Sequence, residues 1–199
     1  MNPIKDQNYI ALDLELNNHN DDSIPRIIEV GVAIGSPLKE EEIITCNWYL
    51  NPGEPIEPFI TQLTGITDET ISESAVSHET VATELGKLIQ LYHCFVNPIT
   101  WGQDDVDELK AEFSERNIRF PFFGRRIIDV KTITSFNQIV SGRSVGGGLR
   151  KTMNSYGLRF DGTPHRASDD AKNTLRFFFH LLNRNRQLNE LIDSIKAFK

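Results

Sequence analysis

The stretch "IALDLEL", residues 10–16, sets two acids into a run of β-forming residues. On a strand, side chains alternate between faces. Asp13 and Glu15 therefore project to one side, while Leu12, Leu14 and Leu16 project to the other. Adjacent like charges repel, so the pair needs a reason to exist. One reading is an exposed edge strand with a solvated acidic face. The other is a pair of carboxylates held together by a divalent cation, for which hard oxygen donors suit Mg²⁺ or Mn²⁺.

The chain has 199 residues, of which 39% are hydrophobic, enough for one substantial core. No segment approaches the roughly 20 apolar residues of a membrane span. The opening "MNPIKDQNYI" lacks the pattern of a secretory signal, so a cytoplasmic protein with no membrane partner is expected. Cys46 and Cys94 form no C-x-x-C pair and read as reduced structural residues. The net charge of −7 argues against broad duplex binding. It leaves room for a small site in which acids gathered around cations present local positive charge.

Residues 8–16, 26–35 ("RIIEVGVAIG") and 41–52 ("EEIITCNWYLNP") read as three strands of an antiparallel meander, the first two joined by the polar turn "NNHNDDSIP", 17–25. A Pro- and Gly-rich loop follows, with a helical turn at 58–63. Helical periodicity runs through "ISESAVSHETVATELGKLIQLYH", and "CFVNPITW", 94–101, reads as a buried strand. Residues 104–117 are helical with an acidic start, 125–133 are apolar again, and a helix over about 148–156 stops at Gly157. The strongest late helix begins near Ser168, and 186–198 reads as a further helical piece. Three strands followed by alternating strands and helices predict an α/β domain with a mixed sheet flanked by helices.

Two more segments carry acids at useful places. In "TWGQDDVDEL", 100–109, Asp104 and Asp105 stand at a strand-to-helix junction, where they either cap the helix or face a site. In "TPHRASDDAKN", 163–173, His165 precedes a helix whose first turn holds Asp169 and Asp170, and one of these acids is explained by the helix dipole alone. The remaining histidines, 19, 78, 93 and 180, have no partner pattern, and Trp48 and Trp101 read as core aromatics. "FFGRR", 122–126, reads as mainly structural. "GGG", 146–148, is no phosphate loop, because no G-K-[ST] follows, and reads as a flexible lead-in to a helix.

Taken in order, D-x-E on the first strand, W-G-x-x-D some 90 residues later and H-R-A-x-D-D-A near the end resemble the DEDDh family of 3′-to-5′ exonucleases, which has an RNase H-like fold. The linker "NPGEPIEPFITQLTGITDETI" is similar to that family's linker after the third strand, and the W-G variant of the second block, with "GGGLRKTMNSYGLRFDGTPHRASDDAKN", is most similar to its Eri1-like and KapD-like branch. The resemblance covers about residues 8–182. It implies an exonuclease domain over 1–185 and a C-terminal helical extension over 186–199. It also implies a metal-dependent hydrolase acting on the 3′ end of single-stranded or overhanging nucleic acid, with RNA favoured over DNA.

Position by position, the resemblance makes Asp13, Glu15, Asp105 and Asp170 the ligands of two Mg²⁺ or Mn²⁺ ions and His165 the general base. Gln103 and Asp104 depart from the branch's usual Asp-Tyr, which leaves Asp104 as an alternative to Asp105. Leu16, Leu63 and Ile66 are implied as contacts to the terminal nucleotides, with ordinary core packing as the other reading of the last two; Phe59 offers a face for stacking on a base. A DNA-specific exonuclease, an endonuclease with the same acids and an inactive binding module remain the competing readings. The oligomeric state stays open, with a dimer among the options.

Overall fold

The computed structural model describes residues 7–19, 24–120 and 123–197. Strand β1 (Tyr9–Asn17) occupies the heart of a six-stranded sheet of order β4-β3-β2-β1-β5-β6. It pairs antiparallel with β2 (Arg26–Gly35), which pairs antiparallel with β3 (Ile44–Leu50). The other pairings are parallel: β4 (Ala75–Val76) beside β3, β5 (Ile99–Thr100) beside β1, and β6 (Ile128–Asp129) beside β5. This is the mixed sheet expected, three antiparallel strands and then parallel ones, in an RNase H-like α/β fold.

The alternation of β1 decides what lies on each side. Ile10, Leu12 and Leu14 face a core with Val81 and Leu85 of α3 (His78–Leu91) and Val106, Leu109 and Phe113 of α4 (Asp104–Glu115). Tyr9 and Ala11 face the opposite core, with Val130 of α5 (Val130–Val140), Leu149 and Met153 of α6 (Leu149–Ser155), and Ala171 and Leu175 of α7 (Ala167–Ala197). Asp13 and Glu15 continue the Tyr9 and Ala11 row, so the acids lie on the α7 face. A third cluster, Ile28, Ile56, Ile60, Ile66 and Ile71, seats α1 (Pro58–Thr64) and α2 (Asp68–Ser74) beneath the loop after β3.

Several elements differ from expectation. The helical period at 81, 85, 88 and 89 lies in α3, while the earlier part of the same stretch holds the end of α2 and β4, because Ser77 caps a fresh start by accepting the Thr80 N–H. The strand expected over 94–101 pairs only at Ile99–Thr100 and through an Asn8–Cys94 bridge, since Pro98 supplies no N–H to a ladder. Residues 134–140, to which no element was assigned, belong to α5. The Asp129 carboxylate caps that helix by accepting the N–H groups of Lys131 and Thr132. Helix α7 runs unbroken across the boundary placed at 185 and is exposed from Arg184 to Lys196. Residues 1–6, 20–23, 121–122 and 198–199, which include part of the first turn and Phe122 of "FFGRR", lie outside the described residues. Among the described residues, no helix is long and apolar enough to cross a membrane.

Gly31 of β2 sits directly opposite Asp13, and the start of α7 rests on it. A Cβ built there would lie 2.0 Å from the Ala167 carbonyl carbon and 2.2 Å from the Ser168 nitrogen. These are backbone atoms and cannot turn aside. Gly31→Ala is expected to cost about 3 kcal/mol of stability and to push Asp170 away from Asp13. Chemical denaturation with and without divalent metal checks both effects, and a variant as stable and as metal-responsive as the wild type would show that the close approach is not needed.

Candidate active site

The site is assembled at the second half of β1, beside the end of β5 and the amino-terminal part of the antiparallel β2. Glu29 of β2 is fully buried and organises it. Its carboxylate accepts from Arg166 Nε at 3.3 Å, Arg166 Nη2 at 3.1 Å, the Ala167 N–H at 3.1 Å and Asn47 Nδ2 at 2.9 Å. Arg166 also donates to the Tyr49 hydroxyl and lies over its ring. This one acid therefore fixes the first turn of α7 against the sheet. Once α7 is seated on Gly31, Asp170 is carried over β1. Its Oδ2 accepts the His165 N–H at 2.7 Å and the Arg166 N–H at 3.3 Å.

Asp13, Glu15 and Asp170 then converge, each offering one carboxylate oxygen within 4.8 Å of the others. Asp105 enters from the other core. Strand β5 meets β1 only at the Ala11–Ile99 register, which leaves the later part of that edge of β1 without a strand partner. The Asp105 carboxylate takes a hydrogen bond from the Leu14 backbone there. Asp105 is outside the tightest group, yet its charge is the largest of the neighbouring charges acting on Asp13. Asp104, by contrast, is exposed. Asp129 ties down the loop between β5 and α4 by accepting the Gly102 N–H at 3.1 Å.

The electrostatics of the cluster are those of a site built for a cation. Burial, and then the charges of Asp105, Asp170, Glu15 and Glu29, hold the Asp13 carboxyl well above the usual carboxylate range. Burial, followed by Asp170 and Glu29, pushes Glu15 up to about 8, against a smaller opposing pull from Arg166. Burial pushes Asp105 up to about 7, and Asp170 is also raised by burial, although its hydrogen bond from His165 opposes this. The acids have hard oxygens, close spacing and little internal neutralisation, so the donor set fits a divalent hard cation.

These shifts make stability depend on pH. Between the unfolded carboxyl range near 4 and the folded values of about 7 and 8, the folded chain binds more protons than the unfolded one. Stability must therefore fall as pH rises through that window. In EDTA, the melting temperature is expected to drop by several degrees from pH 5 to pH 8, on a scale of about 2–4 °C per kcal/mol for a chain of this size. Millimolar Mg²⁺ or Mn²⁺ is expected to reverse the drop. Thermal scans at both pH values decide it, and a flat profile without metal would contradict the arrangement.

His165 is exposed, in the loop before α7, with φ +62°, a left-handed conformation uncommon for a non-glycine residue. Leu16 follows a register shift in β1 after Glu15 and is half-buried against the α3–α4 core. Leu63 is 49% exposed on α1, and Phe59 is also exposed. Ile66 is only 1% exposed and packs in the third isoleucine cluster, so its side chain belongs to the core and not to the surface. Glu29, Gly31, Arg166 and Asn17 were not singled out from sequence. Asn17 is buried and pins the loop before α1, with Oδ1 accepting the Glu57 N–H at 2.9 Å and Nδ2 donating to the Pro55 carbonyl at 3.1 Å. For Glu29 and Gly31 the available signal was a lone Glu two residues before a Gly within the apolar run "RIIEVGVAIG".

An RNase H-like sheet with buried acids gathered at its strand ends is an α/β domain with a site suited to a divalent cation. The sequence profile of the family described as Exonuclease matches residues 10–178, and the chain belongs to that family. It is 27% identical over 183 residues to the 3′-5′ exonuclease DinG of Bacillus subtilis (strain 168), covering 92% of this chain and 18% of that protein. It is also 27% identical over 158 residues to the probable 3′-5′ exonuclease KapD of the same organism, covering 77% of this chain and 72% of that one. The chain thus spans under a fifth of the length of DinG. Its fold superposes on the nuclease domain of 3′hExo, a DEDDh family member bound to rAMP, with a TM-score of 0.78 at 19% identity, covering 90% of this chain and 94% of that one.

Proposed function

We propose that this chain removes nucleotides one at a time from the 3′ end of single-stranded or overhanging nucleic acid, with RNA preferred over DNA. The carrying observation is the convergence of Asp13, Glu15 and Asp170, with ligand oxygens within 4.8 Å, on the face that also receives the start of α7. Asp13 would serve both of two divalent ions, with Glu15 and Asp170 helping to hold one and Asp105 the other. Such ions, when bound, lower the pKa of water and stabilise the leaving 3′-oxygen. Mg²⁺ or Mn²⁺ suits the all-carboxylate donor set.

His165 takes the proton from the attacking water. Histidine changes charge nearest to neutral pH, and a loop position before α7 lets the ring meet a substrate on the open side of the cluster. The His165 N–H holds Asp170, so base and ligand are set by the same short segment. Leu16 and Leu63 contact the terminal nucleotides, Leu63 through its exposed position on α1. Little sequence preference is expected. The preference for RNA draws on the likeness to the rAMP-bound 3′hExo domain. The exonuclease domain is assigned to 1–185 and a helical extension to 186–199, in a cytoplasmic protein.

Matched 5′-labelled RNA and DNA substrates with 3′ overhangs test the reading. A ladder shortening by single nucleotides in Mg²⁺ or Mn²⁺, faster on RNA and abolished by EDTA, is expected. Internal cuts would replace the exonuclease by an endonuclease, and cleavage in EDTA would remove the metal.

A further inference from the structure

The acidic total hides a basic tract. Between Arg119 and Arg159 the sequence carries eight arginines and lysines and a single acid, Asp129. That is an excess of seven positive charges in a chain of net −7, so the remainder carries −14. Outside this tract, Arg26, Lys39, Lys110, Arg116, Arg166, Lys172, Arg186 and Lys196 are in ion pairs. Among the described residues, none of the eight cations inside it is. Concentrated and unneutralised positive charge on one stretch is the footprint of a polyanion.

Within the tract Asp129 borders the active site, and the residues after it lead away. Asp129 holds the Gly102 N–H, acts on the Asp105 carboxyl and caps α5. Helix α5 and helix α6 pack on the sheet face that carries Asp13 and Glu15. The 11 residues of α5 extend about 16 Å from that border. Past its far end, a cavity of about 370 Å³ opens between α5 and α6. Arg143 and Lys151 line it together, with Gln138, Ser144, Gly146 and Ser155, and no acid is among its walls. Gly146 and Gly147, at φ +121° and +118°, carry the chain around this cavity in a conformation that other residues rarely adopt. The "GGG" stretch thus shapes a pocket lined by two cations.

We infer that the α5–α6 junction is a subsite for a backbone phosphate of the substrate strand, 5′ of the scissile bond, held by Arg143 and Lys151. Stacked strands carry one phosphate per about 3.4 Å, so the subsite lies about four or five nucleotides from the 3′ end. The inference rests on the exonuclease reading and adds to it a dependence on substrate length. The strand enters along the basic tract, and its end reaches the acids only with cations bound there.

The test compares a trinucleotide with a 12-mer as substrates for R143A/K151A, with R143K/K151R as the charge-conserving control and the exposed, unpaired Lys87→Ala as the control for lost charge alone. For R143A/K151A, kcat/KM on the 12-mer is expected to fall about tenfold, through KM. The ratio of 12-mer to trinucleotide rates should fall by the same factor. The salt slope of 12-mer binding, followed by fluorescence anisotropy, should flatten by about 0.7, the share of the one lost phosphate contact. R143K/K151R and Lys87→Ala should keep the wild-type ratio and slope. An equal loss on both substrates, an unchanged slope or the same effect from Lys87→Ala would overturn the subsite. If the wild type binds the 12-mer with this Arg143 and Lys151 dependence but hydrolyses nothing in either metal, the subsite stands and the nuclease reading fails.

Discussion

Asp13→Asn is expected to lower turnover about a thousandfold while raising the melting temperature of the metal-free protein at pH 8. The two effects share one cause. The Asp13 carboxyl is buried among Asp105, Asp170, Glu15 and Glu29, all of which disfavour its charge. An amide of the same shape removes that repulsion and relaxes the raised acids around it. It also removes one of the carboxylate oxygens available to a cation in the Asp13, Glu15 and Asp170 group. Activity and stability should therefore move in opposite directions, which simple misfolding cannot produce. The stabilisation by divalent metal should shrink at the same time. Thermal scans with and without EDTA, alongside ladder assays, read both effects, and a variant that is inactive and less stable than the wild type at pH 8 would show that the acids are not in mutual conflict.

The second large effect is expected from His165. Removing a general base costs about 10²–10⁴ in rate, so His165→Ala should lose that much kcat while keeping the metal-dependent rise in melting temperature. The deficit should narrow at high pH, where hydroxide takes over from the missing base. The backbone at His165 is left-handed, so His165→Asn, a residue that tolerates this region, is the companion variant. It should show the same loss with the loop undisturbed. Near-normal rates in both variants would assign the proton to another group.

How much of this was legible in the sequence follows from where the determinants lie. The meander was, because β1, β2 and β3 alternate or run apolar over 7 to 10 residues. Asp13, Glu15, Asp105, Asp170 and His165 were proposed from motif order, and the structure gathers three of the acids directly and couples the fourth to them. Helix α5 was not legible. "VKTITSFNQIV" is rich in β-branched residues, whose local preference is for strands. Tertiary packing overrides it, with Val130, Thr134 and Gln138 buried at helical spacing and Asp129 capping the start. The support beneath the site was hidden for another reason. Glu29, Asn47 and Arg166 become partners only when β2, β3 and the start of α7 meet, and no local pattern announces a contact across 137 positions. Ile66 shows the converse. A loop position invited a surface role, yet the cluster beneath α1 and α2 claims the side chain.

The brevity of β5 carries a consequence of its own. Two residues longer, it would zip further along its neighbour and make a more regular sheet. The same extension would consume the amide of Leu14 that Asp105 now occupies and evict the fourth carboxylate. Selection on such a domain must then act against a better-formed ladder at this one place, so insertions that lengthen this strand should be rarer among active relatives than insertions at its other edges.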